Sequence, residues 1–323
     1  MCFIQGDLGR AEELGLQVLV EARDRGDRWG EGMMLLLASG VRCWTGRTND
    51  ALDFARQAHA LFRSIGDRFG EAQALTSLGR VLASVGRVAE GLAMLHDGLE
   101  ASLADRESKE TATLVTGLVN VAVHLGEARL AVETFARITE AEIAGMAAGI
   151  GAGAVEREVA RGLALLQSGE VSEAVAILRR ESEVAPNGTP STYALSALAL
   201  ALAACGEHDE VVEVEHQVAT AAHVTYLDRA SASMALALAM ARRGEAEAAA
   251  ALDDTVVSVD ATEDQISQAV VRLALAAVLD SLDDPGAPAA ADRAELRLRE
   301  LGITADGWRT VFRLALTAAP AAV

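Results

Sequence analysis

Asp209, Glu213, His216, Thr220 and His223 advance by four, three, four and three positions, so they share one helical face opposite Val211, Val214, Val218 and Ala222. Glu213 and His216 form an ExxH pair, the unit from which helical metal sites are assembled when a second helix supplies another pair and more carboxylates. No second pair accompanies this one, so the five residues read as a solvated polar face and neither a metal nor a cofactor is expected. The run Gly149-Ile150-Gly151-Ala152-Gly153-Ala154 satisfies a GxGxx[GA] dinucleotide fingerprint, which needs a strand before it to aim the glycines at a pyrophosphate. Residues 135–143 follow helical spacing instead, so the glycines mark a helix junction. Hydrolytic chemistry lacks its parts: there is no GxSxG elbow, no HExxH and no Cys/His pair at a family spacing. Lys109 is the sole lysine and stands in Ser108-Lys109-Glu110 without a glycine loop, which removes lysine-based phosphate binding. The chain reads as a non-enzyme.

The elements that position these residues are helices. Of 323 residues 51% are apolar but only 3% aromatic, and there are 5 prolines, a composition that suits alanine-rich helices and not a sandwich or barrel. Acids outnumber bases 47 to 28, for a formal charge of -19, so a phosphate backbone is repelled and direct nucleic-acid binding is disfavoured. The excess is greatest in residues 181–323, with 22 acids against 9 bases. The N-terminal MCFIQGDLGR carries Asp7 and no apolar run of signal length, which points to a cytoplasmic protein. The longest uncharged stretch, Asn187 to Gly206, holds about 13 apolar residues where a span needs ~20, and is predicted to be a buried helix rather than a membrane segment. Cys2, Cys43 and Cys205 are odd in number and far apart, as expected of reduced thiols.

A repeat organises the chain. Glycines recur at Gly6, Gly46, Gly86, Gly126, Gly169, Gly206 and Gly244, at intervals of 40, 40, 40, 43, 37 and 38. Five residues after each stands Ala11, Ala51, Gly91, Ala131, Ala174, Val211 or Ala249, a small side chain where two helices approach closely. Gly26-Asp27-Arg28-Trp29-Gly30-Glu31 returns as Gly66-Asp67-Arg68-Phe69-Gly70-Glu71. Glycine closes a helix in the left-handed conformation and the aspartate caps the next, each contributing roughly 1 kcal/mol. Leu75, Leu78 and Leu82 before Gly86, and Leu195, Leu198 and Leu202 before Gly206, give each first helix a core face. Each unit of ~40 residues is therefore a helical hairpin, and hairpins that cannot bury their faces alone must stack.

Gly79 before Gly86-Arg87-Val88-Ala89-Glu90, and Gly162 before Gly169-Glu170-Val171-Ser172-Glu173-Ala174 and on to Pro186, resemble the tetratricopeptide repeat (TPR), with about six residues added to its period. The GDRxGE junctions are similar to those in the sensor arrays of bacterial signal-transduction ATPases and of LuxR-type and antibiotic-regulatory transcription factors. Walker-type and helix-turn-helix motifs of those regulators are absent here. The resemblance implies an all-α, right-handed superhelical solenoid of TPR-like hairpins over 1–285, with a concave groove whose wall is formed by residues 13, 10, 6 and 2 before each anchor glycine. That register selects Gln73, Thr76, Arg80 and Ser84, then Thr113, Thr116, Asn120 and His124, with apolar flanks that include Trp44 and Tyr193. Asn120 offers an amide donor and acceptor to a peptide backbone, and Arg80 a fork to a carboxylate or phosphate. A protein or peptide partner, or a small anionic ligand, is the expected occupant.

The repeat pattern weakens near 145–153 and 186–190, which are predicted hinges, and breaks at Asp283-Asp284-Pro285-Gly286. Helices near 289–301 and 307–317 follow, and Trp308, Phe312 and Leu316 at four-residue steps make 286–323 a cap that seals the last repeat. Only five residues precede Gly6, where other repeats have about 15, which leaves Leu14, Val18 and Leu19 without natural cover. The expectation is an array attached to or docked on an upstream effector domain, acting as the sensor arm of a regulator. A free-standing scaffold between two proteins is the alternative, and a metal-binding helical protein a third.

Overall fold

A computed structural model of the chain describes residues 7–105, 108–137, 151–183, 191–222 and 224–317. Among these the regular elements are 16 α-helices and two short 3-10 turns, with no strand. The first seven helices are α1 (Leu8–Arg25), α2 (Arg28–Trp44), α3 (Thr48–Ile65), α4 (Arg68–Ser84), α5 (Val88–Asp105), α6 (Ser108–Leu125) and α7 (Ala128–Ala136). The next six are α8 (Gly151–Gln167), α9 (Val171–Glu183), α10 (Thr192–Cys205), α11 (His208–Thr220), α12 (Tyr226–Arg242) and α13 (Asp253–Asp260). The last three are α14 (Gln265–Ser281), α15 (Ala287–Leu301) and α16 (Asp306–Thr317). The fingerprint glycines Gly151 and Gly153 open helix α8, while the predicted hinge residues 145–150 and 186–190 lie outside the described residues.

Local chemistry sets the helix ends. The anchor glycines from Gly46 to Gly244 all hold φ between 74° and 91°, and Gly26 and Gly66 hold 68° and 72°. A side chain in that region strains the backbone, which is why the spacing of glycine marks the hairpins so clearly. Asp27 then accepts the Gly30 N–H at 2.8 Å, and Asp67 the Gly70 N–H at 3.0 Å, to begin α2 and α4. The pattern fades after Gly244, where the alanine run 248–251 has no large apolar side chain to bury and two 3-10 turns precede α13.

Each even-numbered helix from α2 to α14 packs on the next even-numbered one, and each odd-numbered helix from α3 to α13 packs on the even-numbered helices before and after it. Small residues permit this: a Cβ on Gly91 would lie 2.5 Å from the Gly79 carbonyl oxygen, so α4 and α5 touch backbone to backbone. Leu78, Leu82, Leu195, Leu198 and Leu202 are all buried, as their spacing predicts, and Leu75 is half-buried. Leu19, expected to lack cover, is also buried, because Leu35 and Phe62 close over it; Val18 stays exposed. Helix α10 is the predicted buried helix, with every residue from Ala194 to Ala204 out of water. No helix among the described residues is long and apolar enough to cross a membrane.

The far end of the chain returns to the near end. Helix α14 meets α4 and α6, and α16 lies on α8, α10, α12 and α14 together. Helix α16 therefore covers four helices and not its neighbour alone. A helix that is apolar all round, as α10 is, needs cover on every side, and Trp308, Val311, Phe312 and Ala315 of α16 are buried in supplying it. Three anchor glycines form the seam. The Glu263 N–H donates to the Gly46 carbonyl at 2.9 Å, and the Gly307 N–H to the Gly126 carbonyl at 2.8 Å. A Cβ on Gly86 would lie 2.4 Å from Gln265 Oε1. The Trp308 indole donates to the His124 carbonyl at 2.9 Å.

Candidate functional site

Five helices bring four of the expected residues, Trp44, Arg80, Asn120 and Tyr193, together with Glu156 beside this seam. Trp44 ends α2, and the guanidinium carbon of Arg80, on α4, stands 5.4 Å from the centre of its ring. Glu156 of α8 approaches Arg80 to 4.0 Å and the Asn120 amide of α6 to 3.4 Å. The Tyr193 hydroxyl of α10 donates to Asn120 Oδ1 at 3.0 Å. All five side chains are half-buried. Arg80 Nε is itself shielded from water and has no hydrogen-bond partner among the described residues. A buried donor left unpaired costs about 1–3 kcal/mol, so the face of Arg80 is held by Trp44 while its edge stays unused.

The remaining expected wall residues serve the framework. Thr113 and Thr116 donate back to the Lys109 and Ala112 carbonyls of their own helix, and Thr76 donates to the Thr113 carbonyl at 3.3 Å, tying α4 to α6. Gln73 is half-buried on α4, and Ser84 is buried. Asn120 also donates to the Thr116 carbonyl, so its amide is a connector between α6, α8 and α10 and is not a free anchor for a peptide backbone. His124 Nε2 turns to Asp264 at 3.4 Å, and Asp264 caps α14 by accepting the Ile266 and Ser267 N–H groups. The Ser267 and Tyr226 hydroxyls donate to the same carboxylate.

Electrostatics divide this cluster. Burial pushes the Asp264 carboxyl up, but the charge and hydrogen bond of His124, with the two hydroxyls, outweigh it and hold the group below the usual carboxylate range. Asp228, buried on α12, goes the other way: desolvation raises its pKa despite hydrogen bonds from Thr192 and Thr225. Burial, then neighbouring carboxylates, push the Tyr193 and Tyr226 hydroxyls far up, and burial raises the Cys43 thiol. At neutral pH these groups keep their protons and offer hydrogen bonds, not nucleophiles.

Glu156, Tyr226, Asp228 and Asp264 are not among the residues that the repeat register and its apolar flanks name above. Glu156 lies 13 residues before Gly169, on the register that selects Gln73 and Thr113, and both tyrosines of the chain open adjacent first helices, so those signals were present. Elsewhere, Glu213, His216 and Thr220 are exposed on α11 while Val211, Val214 and Val218 are buried, as a solvated face requires; His223 lies outside the described residues. Among the described residues no three His, Cys, Asp or Glu side chains cluster closely enough to hold a metal ion. Compared with known proteins, no family model matches the chain, and no curated protein matches it.

Proposed function

We propose that the chain is the ligand-binding arm of a cytoplasmic signalling or transcriptional regulator, a superhelical array of TPR-like hairpins over 1–285 closed by the helices of 286–323. The phase of the left-handed glycines and the stacking of even-numbered helices support the array. One observation carries the binding site: Arg80, stacked on Trp44 in a half-open cluster, keeps a shielded donor that no described residue uses. A ligand held there joins α4 to α6, α8 and α10, and α14 touches two of those helices. Occupancy thus changes the curvature of the array and reaches an effector domain attached to it or docked on it. The tyrosines and Cys43 stay protonated, which suits recognition rather than turnover.

The test is a thermal-shift screen of the protein and its Arg80→Ala variant against small-molecule fractions of cells that express the chain. The expected result is stabilisation of the parent by a discrete fraction, lost in the variant. A protein that co-purifies at fixed ratio, with no fraction shifting the melting point, would establish the scaffold reading instead.

A further inference from the structure

The charges around Arg80 say more about the ligand than that it carries an acceptor. Arg80 and Glu156 face each other at 4.0 Å, outside hydrogen-bonding distance, and both are open to solvent, with side chains 27% and 42% exposed. They form an ion pair without a hydrogen bond. Trp44 covers one face of the Arg80 guanidinium, and its edge carries the Nε–H that no described residue accepts. On its other side, among the described residues, Glu156 has the long contact to Asn120.

The Tyr193 hydroxyl lies in the field of Glu156, Asp228 and Arg80 together, and the Tyr226 hydroxyl in that of Asp264 and Arg80. A simple anion on Arg80 meets repulsion from Glu156, 4.0 Å away. A simple cation on Glu156 meets Arg80 and leaves the orphan donor unpaired. A ligand carrying both charges on neighbouring atoms satisfies each partner and adds no net charge to the pair.

We propose that this site takes a small zwitterion of the α-amino-acid type, its carboxylate on the edge of Arg80 and its ammonium on Glu156. The inference rests on the ligand-binding reading above and replaces the simple anion that the sequence suggests. The test is calorimetric titration of the intact protein with the proteinogenic amino acids, followed, for the tightest, by the matched acid lacking the amine and the matched amine lacking the carboxylate. The expected result is binding of at least one amino acid, at least tenfold tighter than either matched compound. Glu156→Gln is expected to erase that preference, so that the matched acid binds as well as the amino acid, while Arg80→Ala loses both.

Two results overturn the proposal: no amino acid binds, or the matched acid binds the parent as tightly as the amino acid does. If in either case a cell fraction still stabilises the protein through Arg80, the binding-arm reading stands and only the ligand class is wrong. If no fraction does, both fall. Should Glu156→Gln not fold, the comparison of amino acid with matched acid on the parent decides alone.

Discussion

Asp264 and Asp228 show how one residue type is used in two ways. Asp264 is held low by His124, Tyr226 and Ser267, so the stability it gives is fully present above the unfolded carboxyl value of about 3.9 and is lost as pH falls through its lower folded value. Asp264→Asn is expected to lower stability at pH 7 by about 1–3 kcal/mol, a deficit that shrinks in acid; urea unfolding across pH checks it. Asp228 has a raised folded pKa, so its ionisation opposes folding at neutral pH. Asp228→Asn is therefore expected to be tolerated at pH 7, and any advantage over the parent to vanish as pH falls through the unfolded value. Spacing within a repeat makes Arg80, Asn120 and His124 legible as a common wall. The same register also selects Glu156 and Tyr193, 13 residues before Gly169 and Gly206, but it does not say which of these side chains meet, and Asp264 comes from a helix cap at the far end of the chain.

Helices and their junctions were the most legible level, since a left-handed residue and a cap are local requirements. Which junctions meet something else was not legible, and here two glycines separate two effects. Gly169 has φ 91° and, among the described residues, no atom within 4 Å of an added Cβ, whereas at Gly126, φ 79°, that Cβ falls 2.7 Å from the Trp308 ring and 3.1 Å from the Ala305 backbone. Alanine at either position meets left-handed strain of about 1–2 kcal/mol. Gly126→Ala is expected to lose at least about 1 kcal/mol more than Gly169→Ala, because packed backbone cannot yield without opening the seam. Equal losses in chemical denaturation would mean that the seam contributes nothing to stability.

Across the whole molecule, α16 is the element whose destination the sequence conceals. Its four-residue apolar steps announce a cap, but only the all-apolar character of α10 hints that the cap must serve several helices at once. Trp308→Ala is expected to cost about 3–5 kcal/mol, and hydrogen exchange should show α10 losing protection along with α16; loss confined to α16 would speak against shared cover. The central claim is that Arg80 is kept for a ligand and not for the fold, and the stability of the free protein tests it. Replacing Arg80 with methionine preserves the apolar stem against Trp44 and gives up a cation–π contact of about 0.5–1 kcal/mol. It also removes an unpaired shielded donor that costs about 1–3 kcal/mol. The urea midpoint of Arg80→Met, measured without ligand, is therefore predicted to equal or exceed that of the parent. A fall of more than about 1 kcal/mol, well beyond the lost ring contact, would show that Arg80 holds the structure together and would contradict the assignment of this cluster as a binding site.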